Sequence, residues 1–114
     1  MTVHEIHSVV EFRDIISQNP MVAIDASAVW CGPCKFISPL FEKYIPLHGS
    51  VLELSFKDRV YFAKFDVDGV SDLAQELGIR AMPTFTFFRD GQKMSEFAGA
   101  DPKRLAESLA ELSQ

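Results

Sequence analysis

Trp-Cys-Gly-Pro-Cys-Lys, residues 30–35, contains both cysteines of this 114-residue chain. Small secreted domains that depend on disulfides usually have four or more cysteines spread along the sequence. A bridge between Cys31 and Cys34 closes a very small loop, so it would constrain the unfolded chain only weakly. Three interpretations of the pair stay open: a redox-active dithiol, half of a metal site, or two incidental core thiols.

A zinc site would need two further ligands in addition to the two cysteines. The chain has three histidines, His4, His7 and His48, and none has the spacing of a zinc motif. We therefore expect no metal site and assign the histidines no role. Two incidental thiols within so particular a stretch would be a coincidence, so the residues favour the redox dithiol.

Composition restricts the class of protein further. The chain is 47% hydrophobic and 24% charged, which predicts one folded domain over residues 1–114. The formal net charge of −5 makes nucleic acid a poor candidate partner. There is no apolar run of roughly 18 residues and no basic, apolar leader at the N-terminus. We therefore expect no membrane contact and a cytoplasmic protein.

Hydrophobic periodicity and turn residues predict the element order βαβαβαββα. The predicted strands are Val3–Ile6, Met21–Ala28, Val60–Val67, Thr84–Arg89 and Gln92–Ala98. The helices are predicted after Ser8, from the Cys31–Cys34 segment, over Ser71–Leu77 and from Asp101-Pro102. The order predicts a central mixed five-stranded sheet flanked by four helices, with parallel early strands and an antiparallel terminal hairpin.

Several of these boundaries depend on single residues. Ser8 and Glu11 match a capping box, and Ser71 is the predicted N-cap of the short third helix. Pro39 lies inside the predicted second helix and should kink it. Asp90-Gly91 is a strong signal for a two-residue hairpin turn.

At several separated positions the chain resembles the thioredoxin family. These positions are Asp25, the 30–35 motif, Pro39, Lys64 with Asp66-Val67-Asp68, Ala81-Met82-Pro83-Thr84, Gly91 and Gly99. The Cys-Gly-Pro-Cys motif followed about fifty residues later by Met-Pro-Thr is highly specific, and its central Gly-Pro is typical of thioredoxins rather than glutaredoxins or disulfide isomerases. The run from Phe85 to Lys93 resembles the eukaryotic cytosolic branch.

The resemblance implies a thioredoxin fold and a protein disulfide reductase that acts as an electron carrier in cell redox homeostasis. Cys31 would be the nucleophile and Cys34 the resolving cysteine of a redox-active disulfide, with Gly32 and Pro33 between them. No bound cofactor is implied. The expected partners are disulfide-containing proteins and an NADPH-dependent thioredoxin reductase, and we expect a monomer.

Asp25 lies in an apolar predicted strand, where an ionised carboxylate is costly to bury. The residues alone favour a partly solvated side chain near the strand end. Thioredoxins have an Asp and a Lys at the positions of Asp25 and Lys64. The resemblance therefore implies a buried acid of raised pKa that accepts the Cys34 proton, with Lys64 modulating it.

A substrate groove is also implied by the resemblance. An X–Pro bond is trans in most folded proteins, so the residues alone favour a trans Met82-Pro83 bond; the resemblance implies a cis bond that faces the dithiol. The Met82 backbone would then pair with an extended substrate segment. The predicted groove residues are Trp30, Ala81, Met82, Pro83, Gly99 and Ala100. Core packing is the alternative for Trp30, but its place in a loop next to Cys31 favours partial exposure.

The chain departs from the family pattern at three places. Val29 stands where a polar residue often precedes the Trp, and Ala26 stands where many members have an aromatic residue. The stretch Pro46–Arg59 is about half a dozen residues longer than expected. We interpret it as a tolerated surface insertion rather than a partner-binding segment.

Two other function classes compete with the reductase. One is an interaction module whose dithiol switches binding or plays no part in it, and the other is an oxidase or isomerase. A module would need neither Cys34 nor a buried acid, so the complete motif with Asp25 favours the reductase. An oxidase or isomerase predicts different residues between the cysteines and a higher reduction potential, which equilibration with glutathione would measure.

Overall fold

The computed structural model describes residues 3–44 and 60–113, and within these ranges the predicted element order is confirmed. The strands are β1 (His4–Glu5), β2 (Met21–Ser27), β3 (Val60–Asp66), β4 (Thr84–Arg89) and β5 (Gln92–Ala98). The helices are α1 (Val9–Gln18), α2 (Gly32–Lys43), α3 (Ser71–Glu76) and α4 (Pro102–Leu112). The Pro46–Arg59 stretch and His48 lie outside the described residues.

The five strands form one mixed sheet in the order β1-β3-β2-β4-β5. β3 is parallel to both β1 and β2, whereas β4 is antiparallel to β2 and β5. The predicted mixed sheet with a terminal antiparallel hairpin is therefore confirmed. β2 is central, and its residue Asp25 lies in register with Lys64 on one side and with Phe85 on the other.

Alternation along β2 divides the core between the two faces of the sheet. Met21 and Ala23 pack with residues of α2 and α4, including Phe41 and Leu109. Val22, Ile24 and Ala26 pack with residues of α1 and α3, including Phe12, Ile15 and Leu73. Because Asp25 follows Met21 and Ala23 in this alternation, its carboxylate faces the α2 side of the sheet.

Only some of the helix caps predicted from the sequence are present in the structure. The Glu11 N–H donates to Ser8 Oγ, but Glu11 Oε1 accepts from the N–H of His7, one residue before the cap. The prediction that Ser71 caps the third helix is wrong, because Ser71 is the first residue within the helix. The N-cap is Val70, which makes no side-chain hydrogen bond. Asp101 caps α4 and accepts from the Lys103 and Arg104 N–H groups.

The β4–β5 connection is the predicted two-residue turn. Asp90 and Gly91 have φ angles of 53° and 82°, as a type I′ hairpin requires. α2 continues through Pro39 as far as Lys43, so this proline is accommodated inside the helix. None of the helices in the described ranges has the length and apolarity that crossing a bilayer demands.

Candidate active site

A disulfide joins Cys31 and Cys34 at the N-terminus of α2, with their Cα atoms 5.3 Å apart. Cys31 is the N-cap of the helix, and Pro33 and Gly32 occupy its exposed first turn. Proline suits this position because the first helical N–H groups have no partner within the helix. Both cysteines are almost fully buried in this oxidised form.

The surroundings of Cys31 Sγ favour a negative charge on it after reduction. Sγ accepts a hydrogen bond from the Cys34 N–H at 3.2 Å, and the helix N-terminus adds a favourable electrostatic potential. The Met82 carbonyl oxygen lies 3.7 Å from the same sulfur. A disulfide sulfur has no hydrogen to donate, so this contact becomes a hydrogen bond only when Cys31 is a thiol.

Apolar side chains beside the disulfide are exposed to solvent. Trp30 is 63% exposed and donates its indole N–H to Asp68 Oδ2 at 2.7 Å. The alternative that Trp30 packs in the core is therefore wrong. Val29 and Phe36 are also exposed, at 75% and 59%. Exposed apolar groups beside a reactive centre are typical of a surface that contacts a partner.

The Met82-Pro83 peptide bond is cis, as the family resemblance implied. Met82 is half-buried and packs with the two cysteines, whereas Ala81 is exposed. The Gly99 N–H donates to the Pro83 carbonyl oxygen at 2.9 Å, with Gly99 at a φ of 112° that favours glycine. Ala100 packs partly against the core on the α2 and α4 face. Met82 thus lies against the disulfide, Trp30 directly precedes Cys31, and Gly99 is hydrogen-bonded to Pro83.

Asp25 is 1% exposed, so the alternative of a partly solvated carboxylate is wrong. Ser38 Oγ donates to its Oδ2 atom at 2.9 Å. Burial raises the pKa of Asp25 to about 6, against the opposing effects of the Ser38 hydrogen bond and the Lys64 charge, while Glu42 adds a smaller upward effect. The carboxyl group therefore titrates close to neutral pH.

An open cleft of about 470 Å³ runs from the disulfide towards the neighbours of Asp25. Cys34, Lys35 and Ser38 line it from α2, and Lys64 lines it from β3. The cleft gives solvent access to the side of the helix that holds Cys34 and Ser38.

Replacing Asp25 with asparagine should stabilise the oxidised protein at alkaline pH. The folded pKa of about 6 lies above the ordinary value of 3.8, so the folded state binds this proton more tightly than the unfolded state does. The ionised carboxylate therefore destabilises the fold fully above pH 6, and this effect disappears as the pH falls below 3.8. We expect Asp25→Asn to gain about 3 kcal/mol at pH 8 and less than about 1 kcal/mol at pH 4.

Urea unfolding of the oxidised proteins at the two pH values measures this difference. Asp14→Asn, which alters an exposed carboxylate on α1, is the matched control and should change little at either pH. A variant at Asp25 that is equally stable or less stable than the wild type at pH 8 would contradict a buried, ionisable carboxyl.

Within residues 3–44 and 60–113, no group of three or more His, Cys, Asp or Glu side chains is arranged to hold a metal ion. Two residues in contact with the site, Ser38 and Asp68, were given no role in the sequence prediction. The contact of Ser38 with the site could have been predicted, because Ser38 is four residues after Cys34 and so lies on the same face of the helix. Asp68 belongs to the Asp66-Val67-Asp68 motif, but nothing in the sequence indicated its hydrogen bond with Trp30.

A Cys-Gly-Pro-Cys disulfide at a helix N-terminus, in contact with the residue that precedes a cis proline, defines a thiol–disulfide oxidoreductase. The comparisons with known proteins agree. The family model described as Thioredoxin matches residues 3–111. The chain belongs to the thioredoxin family; it is a protein disulfide oxidoreductase whose redox group is the Cys31–Cys34 disulfide and which needs no cofactor.

The relatives are eukaryotic, as the sequence predicted. A thioredoxin of Malassezia sympodialis is 44% identical over 111 residues, which cover 97% of this chain and 99% of that protein. A thioredoxin of Coprinus comatus is 45% identical over 103 residues, which cover 90% of each. A third match is a chain of known structure with a TM-score of 0.85 and 35% identity, and the match covers 97% of this chain and 96% of that chain. That structure comes from a study of the thiol resolving mechanism in yeast mitochondrial 1-Cys peroxiredoxin via glutathione/thioredoxin systems.

Proposed function

We propose that this protein is a cytoplasmic electron carrier that reduces disulfides in other proteins and is itself reduced by an NADPH-dependent thioredoxin reductase. It would act as a monomer with a single domain over residues 1–114. The observation that carries the proposal is the position of Cys31 Sγ, which accepts the Cys34 N–H at the start of α2 and lies beside the exposed Trp30.

The first step is attack by the Cys31 thiolate on one sulfur of a substrate disulfide. A bond forms between Cys31 Sγ and that sulfur, the substrate S–S bond breaks, and the second substrate sulfur leaves as a thiolate. The Cys34 N–H and the helix N-terminus stabilise the attacking anion. The product is a mixed disulfide between Cys31 and the substrate.

The second step is attack by Cys34 on Cys31 Sγ. Asp25 accepts the Cys34 proton and the Cys31–Cys34 bond forms. The bond between Cys31 Sγ and the substrate breaks, and the substrate sulfur that was held in the mixed disulfide leaves as a thiolate. The substrate has gained two electrons and the protein has become the disulfide form. Lys64, in register with Asp25 in β3, favours the ionised carboxylate and so modulates this proton transfer.

Recognition of the substrate rests on the surface around the disulfide. The Met82 backbone, whose carbonyl oxygen lies beside Cys31 Sγ, would pair with an extended segment of the substrate and so give sequence-tolerant recognition. Trp30, with the exposed Val29 beside it, supplies apolar contact area. Ala81 and Ala100 offer little steric hindrance at the edges of this groove.

Two findings support protein partners. The matched yeast chain comes from a study of a peroxiredoxin that works with glutathione/thioredoxin systems, which makes a thiol-dependent protein a reasonable substrate class. The net charge of −5 also favours proteins over nucleic acid.

Consumption of NADPH in the presence of a eukaryotic thioredoxin reductase and insulin, a protein with disulfides, tests the proposal. We expect many turnovers by the wild type and none by Cys31→Ser. If the wild type binds disulfide proteins but does not turn over, the chain is an interaction module. If its potential against glutathione lies far above the value of about −270 mV for thioredoxins, it is an oxidase or isomerase.

A further inference from the structure

Ser38 makes an unusual hydrogen bond for a serine within a helix. Such serines commonly bond back to a carbonyl oxygen of their own helix. Ser17 Oγ donates to the Asp14 carbonyl in α1, and Ser113 Oγ, just after α4, donates to the Leu109 carbonyl. Ser38 Oγ instead reaches from α2 to Asp25 Oδ2 in β2, at 2.9 Å. This bond ties the buried carboxylate to the helix that begins at the disulfide.

The two oxygen atoms of Asp25 are therefore not equivalent. Oδ2 is held by Ser38, whereas the buried Oδ1 has no hydrogen-bond partner among the described residues. Ser38 follows Cys34 by one helical turn on the same helix face, and both residues line the cleft beside the disulfide. Oδ1 is thus the oxygen available to take up a proton.

We propose that Ser38 is a positioning residue for the resolving step: its hydroxyl holds Oδ2 and leaves Oδ1 free to accept the Cys34 proton. This inference rests on the proposed role of Asp25 as the proton acceptor. Ser38 itself neither gains nor loses a proton in the reaction, because its hydroxyl remains a donor throughout.

The Ser38 hydroxyl is one of two groups that favour ionisation of Asp25. Desolvation opposes ionisation, and β3 contributes one cation, Lys64, that favours it. From α2, Glu42 opposes ionisation, and Cys34 adds a further negative charge when it is deprotonated. The neighbour in β4 is Phe85, which has no charge. The Ser38 hydroxyl, which donates a hydrogen bond to Oδ2, and the Lys64 charge therefore both stabilise the ionised carboxylate.

Carbon-13 NMR of the Asp25 carboxyl group in the oxidised protein tests the positioning directly. Removing a hydrogen bond to a charged group in Ser38→Ala should raise the titration midpoint by about one pH unit. Ser38→Thr keeps the hydroxyl and should restore the wild-type midpoint. Ser17→Ala, which removes a serine that bonds only to its own helix, is the matched control and should leave the midpoint unchanged.

Stopped-flow reaction of the reduced protein with excess dithionitrobenzoate separates the two chemical steps. Attack by Cys31 releases one thionitrobenzoate at a rate that rises with reagent concentration, and resolution by Cys34 releases the second at a rate independent of it. If the midpoint rises by one unit from pH 6, Ser38→Ala should slow resolution about fivefold at pH 6 and hardly at all at pH 8. The first attack should keep its wild-type rate.

The outcomes separate this inference from the proposed function. An unchanged Asp25 midpoint in Ser38→Ala overturns the positioning role, whether or not the protein is a reductase. Equal slowing at pH 6 and pH 8 also overturns it, because that result indicates general loosening of α2. A raised midpoint without slower resolution at pH 6 instead contradicts proton acceptance by Asp25, and the inference fails with it.

Discussion

Cys34→Ser should turn this protein from a catalyst that turns over into a trap for its substrates. Cys31 retains its N-terminal position on α2 and still attacks a protein disulfide, but the mixed disulfide has no neighbouring thiol to resolve it. In well-oriented systems an intramolecular nucleophile has an effective concentration of about 10⁵ M or more. We therefore expect the steady-state rate to fall by about a thousandfold or more, with a covalent adduct accumulating.

Intact-mass measurement under non-reducing conditions detects the adduct as the summed mass of the two proteins. Cys31→Ser is the matched control, because it removes the same atom from the other half of the disulfide and should form no adduct. An adduct that accumulates in Cys31→Ser but not in Cys34→Ser would show that the roles of the two cysteines are reversed.

Asp25→Ala should slow resolution by Cys34 by about a hundredfold near pH 7 while leaving the first attack by Cys31 within about threefold of the wild type. General base catalysis by a positioned group contributes about this much. The first attack does not need Asp25, because Cys31 Sγ has its own stabilisation from the Cys34 N–H.

The two thionitrobenzoate phases measure both steps in one experiment. Asp14→Ala, at an exposed carboxylate of α1, controls for the loss of a negative charge and should leave both phases unchanged. Equal effects of Asp25→Ala on attack and resolution would falsify the proton-acceptor role.

The strands and most helices could be predicted because each depends on neighbouring residues. Met21–Ser27 is apolar at nearly every position and is buried on both faces, which is typical of a central strand. Asp90-Gly91 and the Asp101-Pro102 cap are equally local signals. The short α3 was harder to predict, because it begins at Ser71 without a capping side chain. Its N-cap, Val70, is held by a backbone hydrogen bond from its N–H to the Asp66 carbonyl oxygen.

The details of the site depend on contacts between distant residues. Ser38 and Asp25 are 13 positions apart, and Trp30 and Asp68 are 38 apart. Periodicity places Asp25 on the α2 face of β2, but it cannot say which side chain of α2 will meet the carboxylate. The cis form of the Met82-Pro83 bond was predictable only from the resemblance to a family, because the residues alone favour trans.

The contact between Cys31 Sγ and the Met82 carbonyl spans 51 positions, and this separation has a consequence for the newborn chain. Synthesis proceeds from the N-terminus, so both thiols leave the ribosome well before Met82 and β4 exist. β2 then lacks one of its two flanking strands, and the carboxylate of Asp25 still faces water. During this interval Cys31 lacks the Met82 carbonyl oxygen beside its sulfur. The surroundings of the disulfide are complete only after the segment from Met82 onwards has joined the sheet.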